Sequence, residues 1–380
     1  MAIKKPVSRP ENPRFSSGPC AKPPTWAFSS LDGAWLGRSH RAPGGREKLA
    51  DAISQTRHVL EIPEDYKIGI VPASDTGAFE MAMWSMLGER PVQMVAWESF
   101  GAGWVSDAIK QLKIDASEHI APYGAIFDMA CLNFAEDVCF TWNGTTSGVC
   151  LASGEAIPVD RVGLTFCDAT SAAFAVDLPW NKLDVTTFSW QKVLGGEAAH
   201  GVLILSPRAV ARLESYTPAW PIPKIFRLTK GNKLIDDIFT GATINTPSML
   251  CVEDYLFALD WAVSVGGLKG LMARAQANAQ AIWDFCDDRD WIDNLAIDFK
   301  TRSVTSVCLK FIDTSIKDPS AFAKAVVKRL EMEGAAFDIG SYRDAPAGLR
   351  IWCGATVETI NIKTMLPWLE WAYQTELNAQ

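Results

Sequence analysis

From about residue 68 the chain repeats one pattern, a short apolar run followed by a longer amphipathic stretch. Lys67-Ile68-Gly69-Ile70-Val71 reads as a strand and Ala78 to Leu87 as a helix. Val92 to Ala96 is again a strand and Gly103 to Leu112 a helix. Asp137 to Trp142, Val162 to Cys167, Val185 to Trp190 and Val202 to Leu205 continue the strands. Runs that are apolar throughout are covered on both faces, and strands separated by helices pair in parallel. The pattern predicts an α/β domain around a largely parallel sheet. After Thr246-Pro247 the rhythm changes. Ser248 to Val265 reads as a helix, Gly266-Gly267 breaks it, and an Ala-rich helix runs on to about Asp288. Strands over 303–311 and 348–353 and helices over 321–333 and 357–373 complete a smaller α+β unit. We expect an N-terminal arm over 1–24, a large domain over 25–265 and a small domain over 266–380.

A chain of 380 residues exceeds a single core, in keeping with that division. Hydrophobic residues at 48% against 21% charged exclude a disordered chain. A net charge of −8 without a Lys/Arg block argues against nucleic acid or an anionic membrane as partner. It leaves anionic substrates open, because a few local arginines can hold a phosphate. No run of about 18 apolar residues suggests a membrane span. Met1 to Pro6 carries basic residues with no apolar stretch behind them, so a cytoplasmic location is expected. The nine Cys form no C-x-x-C pair and read as reduced thiols. The four His show no metal-ligand spacing, so no metal site is expected.

The segment Thr187 to Gly196 places Lys192 just after a strand, in a small-residue turn. A lysine that carries an aldehyde cofactor as a Schiff base needs a neutral amine on a rigid mount, with room beside it. A solvated charge is the plainer reading. Asp168 ends the strand before, where it can pair with a protonated pyridine nitrogen or cap the next turn. Asn143-Gly144-Thr145-Thr146-Ser147-Gly148 follows another strand and offers amides and hydroxyls, or a plain turn. Ala73-Ser74-Asp75-Thr76-Gly77 opens a helix whose N–H groups can cradle a phosphate. A carboxylate does not welcome a phosphate, so Asp75 is expected to cap that helix. Trp104 is placed to stack on a flat ring or to fill the core.

Read in order, these segments resemble fold-type I aminotransferases that depend on pyridoxal 5'-phosphate (PLP), and the phosphoserine aminotransferase family in particular. The resemblance spans nearly the whole chain. It rests on Phe15-Ser16-Ser17-Gly18-Pro19, Ser39-His40-Arg41, Trp104, Asn143-Gly144-Thr145, Asp168, Gln191-Lys192, Asn245-Thr246-Pro247 and Gly348-Leu349-Arg350. It implies a large domain with a mostly parallel, seven-stranded-type sheet and a smaller α+β C-terminal domain. Lys192 would hold PLP and shuttle a proton, Asp168 would bind the pyridine nitrogen, Trp104 would stack on the ring and Thr145 would reach the phenolic oxygen. Asp75, Thr76 and Gln191 align with positions around the cofactor phosphate. Asn245 and Thr246 would reach it from a neighbouring subunit, making a homodimer. Arg350 would clamp the substrate α-carboxylate, and His40 and Arg41 a distal phosphate or γ-carboxylate.

The implied reaction exchanges an amino group between L-glutamate and 3-phosphohydroxypyruvate, in serine biosynthesis, with a related step toward PLP itself. Two departures stand out. Many members have glycine and arginine where this chain has Asp75 and Thr76, which leaves Arg343, Arg38 or Arg46 as replacements. The run between Lys192 and His200 is also unusual. Bland readings remain beside these roles: Arg350 on a surface strand, Ser39-His40-Arg41 as a solvated loop, Pro247 as a helix start. Rival functions are a serine– or alanine–glyoxylate aminotransferase, which needs no distal anion site, and a non-catalytic protein of the same fold. A cysteine desulfurase would need a mobile reactive thiol, and Cys353 sits in an apolar strand. A nicotinamide enzyme would need a G-x-G-x-x-G turn after the first strand, and none is there.

Overall fold

The computed structural model describes residues 4–380. Seven strands form the central sheet: β1 (Lys67–Pro72), β2 (Val92–Ala96), β3 (Ala116–Ile120), β4 (Asp137–Thr141), β5 (Thr165–Asp168), β6 (Val185–Ser189) and β7 (His200–Leu205). Their order across the sheet is β1-β7-β6-β5-β4-β2-β3. All neighbours run parallel except β7, which is antiparallel to both β1 and β6. β2, β4, β5, β6 and β7 are buried at every position, as strands covered on both faces must be, polar Asp137, Thr165, Thr187 and Ser189 included. Successive side chains enter opposite layers, Phe166 in one core and Cys167 in the other.

Helices cover both faces, among them α1 (Pro43–Leu60), α2 (Ser74–Met86), α3 (Ser99–Ser106) and α4 (Pro207–Ser215). Four elements have no counterpart in the sequence reading: α4, a short strand over Ile292–Asn294, an edge strand and α1. Edge strand β3, Ala-Ser-Glu-His-Ile, is half exposed and lacks an apolar run. Helix α1 opens on Pro43-Gly44-Gly45, which reads as a loop. Two boundaries also move. The expected strand over 162–167 starts at Thr165, because the N–H groups of Val162 and Gly163 are taken by the Phe134 carbonyl. The expected helix over 103–112 starts at Ser99, because the Glu98 side chain caps it.

Helix α5 (Met249–Ser264) ends at Gly266, whose φ of 102° lets the chain turn by 86° into α6 (Gly267–Asp287). Beyond it an antiparallel sheet of β8 (Ile292–Asn294), β9 (Ser306–Phe311) and β10 (Leu349–Trp352) packs with α7 (Pro319–Met332) and α8 (Thr359–Leu377). Among the described residues no single helix is long and apolar enough to cross a membrane.

Residues 8–20 form a strap across both sheets. Ser8 accepts from Trp368 Nε1 at 2.7 Å, Pro13 from the Phe337 N–H at 2.8 Å and Phe15 from the Trp352 N–H at 3.1 Å. Phe15 is fully buried. The strap then crosses to the large sheet, where the Cys20 N–H donates to the Gln191 carbonyl at 3.0 Å.

Candidate active site

The C-terminal ends of the parallel strands and the turn after β6 open onto one cavity of about 420 Å³. In an open α/β sheet ligands bind at this end. Lys192 stands in that turn, behind the buried anchor Trp190. Its Nζ donates to the Ser17 carbonyl and lies 5.8 Å from the centre of the Trp352 ring. Burial pushes its ammonium pKa down and Arg350 acts the same way, against the pull of Cys20, Asp168 and Glu98. A Cβ on Gly18 would stand 3.0 Å from this Nζ, so the strap crosses the amine with a residue that has no side chain.

Asp168 lies across the cavity at the end of β5. Its Oδ2 accepts from Trp104 Nε1 at 3.0 Å and its Oδ1 from the Thr170 N–H at 2.9 Å. The acid therefore caps the following turn and faces the cavity at once. Trp104 is equally double. Its ring centre is 4.7 Å from that of Phe79 in the core, and it also forms part of the cavity wall.

Asp75 does not cap its helix. The N-cap of α2 is Ala73, in the left-handed region at φ 67°. Asp75 lies within the first turn and its side chain is buried in the cavity wall. Burial and the carboxylate of Asp168 push its pKa well up. A carboxyl held toward its neutral form repels an anion at the helix N-terminus less than a free carboxylate does. The helix starts tight against β1, since a Cβ on Gly77 would fall 2.2 Å from the Pro72 carbonyl oxygen.

Thr145 shares a 2.6 Å hydrogen bond with Ser171 Oγ on the floor of the cavity. Thr76 lies at its exposed rim and Gln191 beside the lysine. Asp75 Oδ1, Asn143 Nδ2, Thr170 Oγ1 and Gln191 Oε1 are buried, belong to residues lining this space, and have no hydrogen-bond partner in the chain. Such groups are costly unless a ligand supplies the partner. The donor set, a carboxylate at one wall, an amine held toward neutrality at another and an indole between, fits a flat cationic ring bearing a carbonyl and an anion.

Arg350, on β10, stands 5.4 Å over the ring of Tyr342, a cavity-lining residue, and its Nε has no partner. Four other expected site residues are not brought to this cavity by their own chain. His40 and Arg41 lie in the turn before α1, and Asn245 and Thr246 lie exposed before α5. Of the three candidate replacement arginines, Arg343 lines the cavity. Arg38 instead stacks 3.8 Å over Trp35, and Arg46 is exposed on α1.

Sequence reasoning missed Glu98, Phe100 and Tyr342. Glu98 is buried beneath the site, accepting from the Gly101 N–H at 2.7 Å and from the Thr146 hydroxyl at 2.9 Å. Burial pushes its carboxyl up to about 7, held back by those two bonds and reinforced by Asp168. An acid three residues before Gly101 at the start of an apolar helix was the available signal. Tyr342 comes from a loop of the small sheet and carries no local signal.

No protein-family model matches the chain. It is 58% identical over 370 residues to the phosphoserine aminotransferase of Methanosarcina mazei, an overlap covering 97% of this chain and 99% of that relative. Solved structures share the fold at lower identity. A phosphoserine aminotransferase from Cytophaga hutchinsonii superposes with a TM-score of 0.82 at 22% identity, over 94% of this chain and 98% of that one. A PLP-bound phosphoserine aminotransferase from Trichomonas vaginalis superposes with a TM-score of 0.73 at 19% identity, over 94% and 99% of the two chains.

Proposed function

The chain belongs to the phosphoserine aminotransferase family, and on that premise we propose that it exchanges an amino group between L-glutamate and 3-phosphohydroxypyruvate, giving 2-oxoglutarate and O-phospho-L-serine, with PLP in the cavity beside Lys192. The observation that carries this reading is the pairing of a buried lysine amine with Asp168 and Trp104 around one cavity. When bound, PLP supplies an aldehyde that condenses with amines and a cationic ring that draws electrons from the substrate Cα.

The chain's own residues supply the rest. Lys192 Nζ, kept toward neutrality by burial, is the attachment point for the cofactor and the base that takes the substrate Cα proton. Asp168, already oriented by Trp104 and Thr170, would face the ring nitrogen. Trp104 covers the ring, and Thr145 donates to the phenolic oxygen. The first turn of α2, with Asp75 and Thr76, holds the phosphate together with Gln191. Arg350 takes the α-carboxylate in a bidentate pair. His40 and Arg41 hold the distal phosphate or γ-carboxylate.

His40, Arg41, Asn245 and Thr246 lie away from their own chain's cavity, so this reading needs a second copy to bring them. Exposed apolar Phe28, Leu36 and Leu250 flank the same two segments, as an interface between copies would bury them. We therefore read the active unit as a homodimer, divided in each chain into a large unit to residue 265 and a small one from 266. Nine free thiols agree with a reducing cytoplasm. Formation of 4-phosphohydroxy-L-threonine, a step toward PLP, fits the same distal pocket. A glyoxylate-directed exchange would leave that pocket without a use.

The test is the visible absorbance of the protein reconstituted with PLP, before and after adding O-phosphoserine, with alanine in parallel. The expected result is a cofactor band abolished by phosphoserine and kept with alanine. A band bleached by alanine and indifferent to phosphoserine overturns the substrate assignment, and no band at all overturns the cofactor.

A further inference from the structure

Asn143 stands at the start of a two-residue pairing with Cys150, so its backbone is fixed and only its side chain can turn. The side chain is buried beside the cavity, and its Nδ2 has no partner. Its Oδ1 accepts from Ser303 Oγ at 2.6 Å. Ser303 comes from far along the chain, just before β9, and is fully buried. Its hydroxyl oxygen already accepts from the N–H groups of Thr305 at 3.2 Å and Ser306 at 3.0 Å.

A hydroxyl has one proton and two lone pairs. With both lone pairs taken by backbone donors, the Ser303 proton is free only to donate. The atom it meets on Asn143 must therefore be the carbonyl oxygen, and the amide nitrogen is turned the other way. The seam around Ser303 is itself pinned: its N–H donates to the Gly148 carbonyl at 2.9 Å, and Ser306 Oγ donates to the Thr145 carbonyl at 2.6 Å. The amide orientation is thus set before any ligand arrives.

We infer that Asn143 Nδ2 is a preset hydrogen-bond donor for an anionic oxygen in the cavity, and that Ser303 is the positioning residue that aims it. The inference rests on the PLP reading of this cavity. Two sources offer such an oxygen, the phenolic oxygen of the cofactor and a carboxylate of the substrate. A donor fixed in advance binds without the cost of reorienting, which is the advantage of building it from a distant serine.

The test is a double-mutant cycle of Asn143→Ala, Ser303→Ala and the pair, on protein reconstituted with PLP. The readouts are cofactor dissociation, followed by tryptophan fluorescence of the cofactor-free protein, the pH midpoint of the cofactor absorbance, and KM for phosphoserine. Asn143→Ala should weaken one binding constant about ten- to a hundredfold, the loss of one hydrogen bond to a charged group. Ser303→Ala should weaken the same constant by about threefold to tenfold, and the double variant should equal Asn143→Ala. A shifted absorbance midpoint and weaker cofactor binding assign the phenolic oxygen; a raised KM with the midpoint unchanged assigns the substrate carboxylate. Unchanged constants in Asn143→Ala, or additive losses in the double variant, overturn the proposal. If Ser303→Ala does not fold, Asn143→Asp keeps the bond to Ser303 and replaces only the donor, and an effect no larger than twofold overturns it. A wild-type protein that takes up no PLP overturns the cofactor reading and this inference with it, whereas wild-type uptake with unchanged variants overturns this inference alone.

Discussion

Burial favours the neutral form of both Glu98 and His200 and so moves each titration away from its value in water. Burial pushes Glu98 up from 4.5 to about 7. The folded chain then binds a proton that the unfolded chain releases, so stability present below pH 4.5 is lost as pH rises through about 7. Glu98→Gln keeps an acceptor for the Gly101 N–H and removes the titration. It should melt higher than wild type above pH 7, by up to about 3 kcal/mol, and the gain should vanish by pH 5 in melts across that range. His200 is the mirror case. Burial pushes it down from 6.5 to about 4, and its Nε2 accepts from the Ser248 N–H at 3.1 Å. Its contribution is present above pH 6.5 and lost as pH falls through about 4, so His200→Gln should flatten the acid limb of the same melts. That Lys192, Asp168 and Trp104 line one cavity was legible in the sequence, because each follows a strand that the apolar runs mark. Ser303 was not, because nothing near it in the chain points to Asn143. Asp75 was misread as a cap because sequence does not reveal a left-handed Ala73.

At the scale of elements, the end of the sheet opposite the cavity is held by charge. Asp184, fully buried, accepts from Arg161 Nη2 at 2.8 Å, from the Thr165 N–H at 3.0 Å and from Ser206 Oγ at 2.9 Å, where β5, β6 and the N-cap of α4 meet. Asp184→Ala leaves the buried Arg161 without its counter-charge, with only the Pro158 and Asn181 carbonyls still accepting from it. It should cost about 3–5 kcal/mol in denaturant unfolding, while the cofactor band and KM of the surviving folded protein stay at wild-type values. The buried strands were legible because a strand covered on both faces cannot hide its composition. The edge strand β3 was not, since one solvated face and one missing neighbour remove the constraint that makes the others apolar. Element ends drifted for a similar reason: the partners that stop them, such as the Phe134 carbonyl at Val162 and Gly163, belong to other segments.

At the scale of the molecule, the proposed sharing of each site between two chains predicts complementation. Neither a Lys192→Ala chain nor an Asn245→Ala/Thr246→Ala chain should turn over well alone. Co-refolded, they should form mixed dimers with one intact site each and recover up to about a quarter of wild-type turnover, by random pairing; no recovery would place each site within one chain. The strap carries a different consequence. The residues that cross Lys192 lie far before it in the chain, whereas the partners that hold them, Phe337, Trp352 and Trp368, lie far after it. Loop closure over so long a separation is late and slow. Until the small sheet and α8 have formed, the strap has no anchor and the lysine lacks its cover, so a chain in which only the large sheet has folded still has no finished site. Completion of the site is thereby tied to the folding of the small sheet and α8.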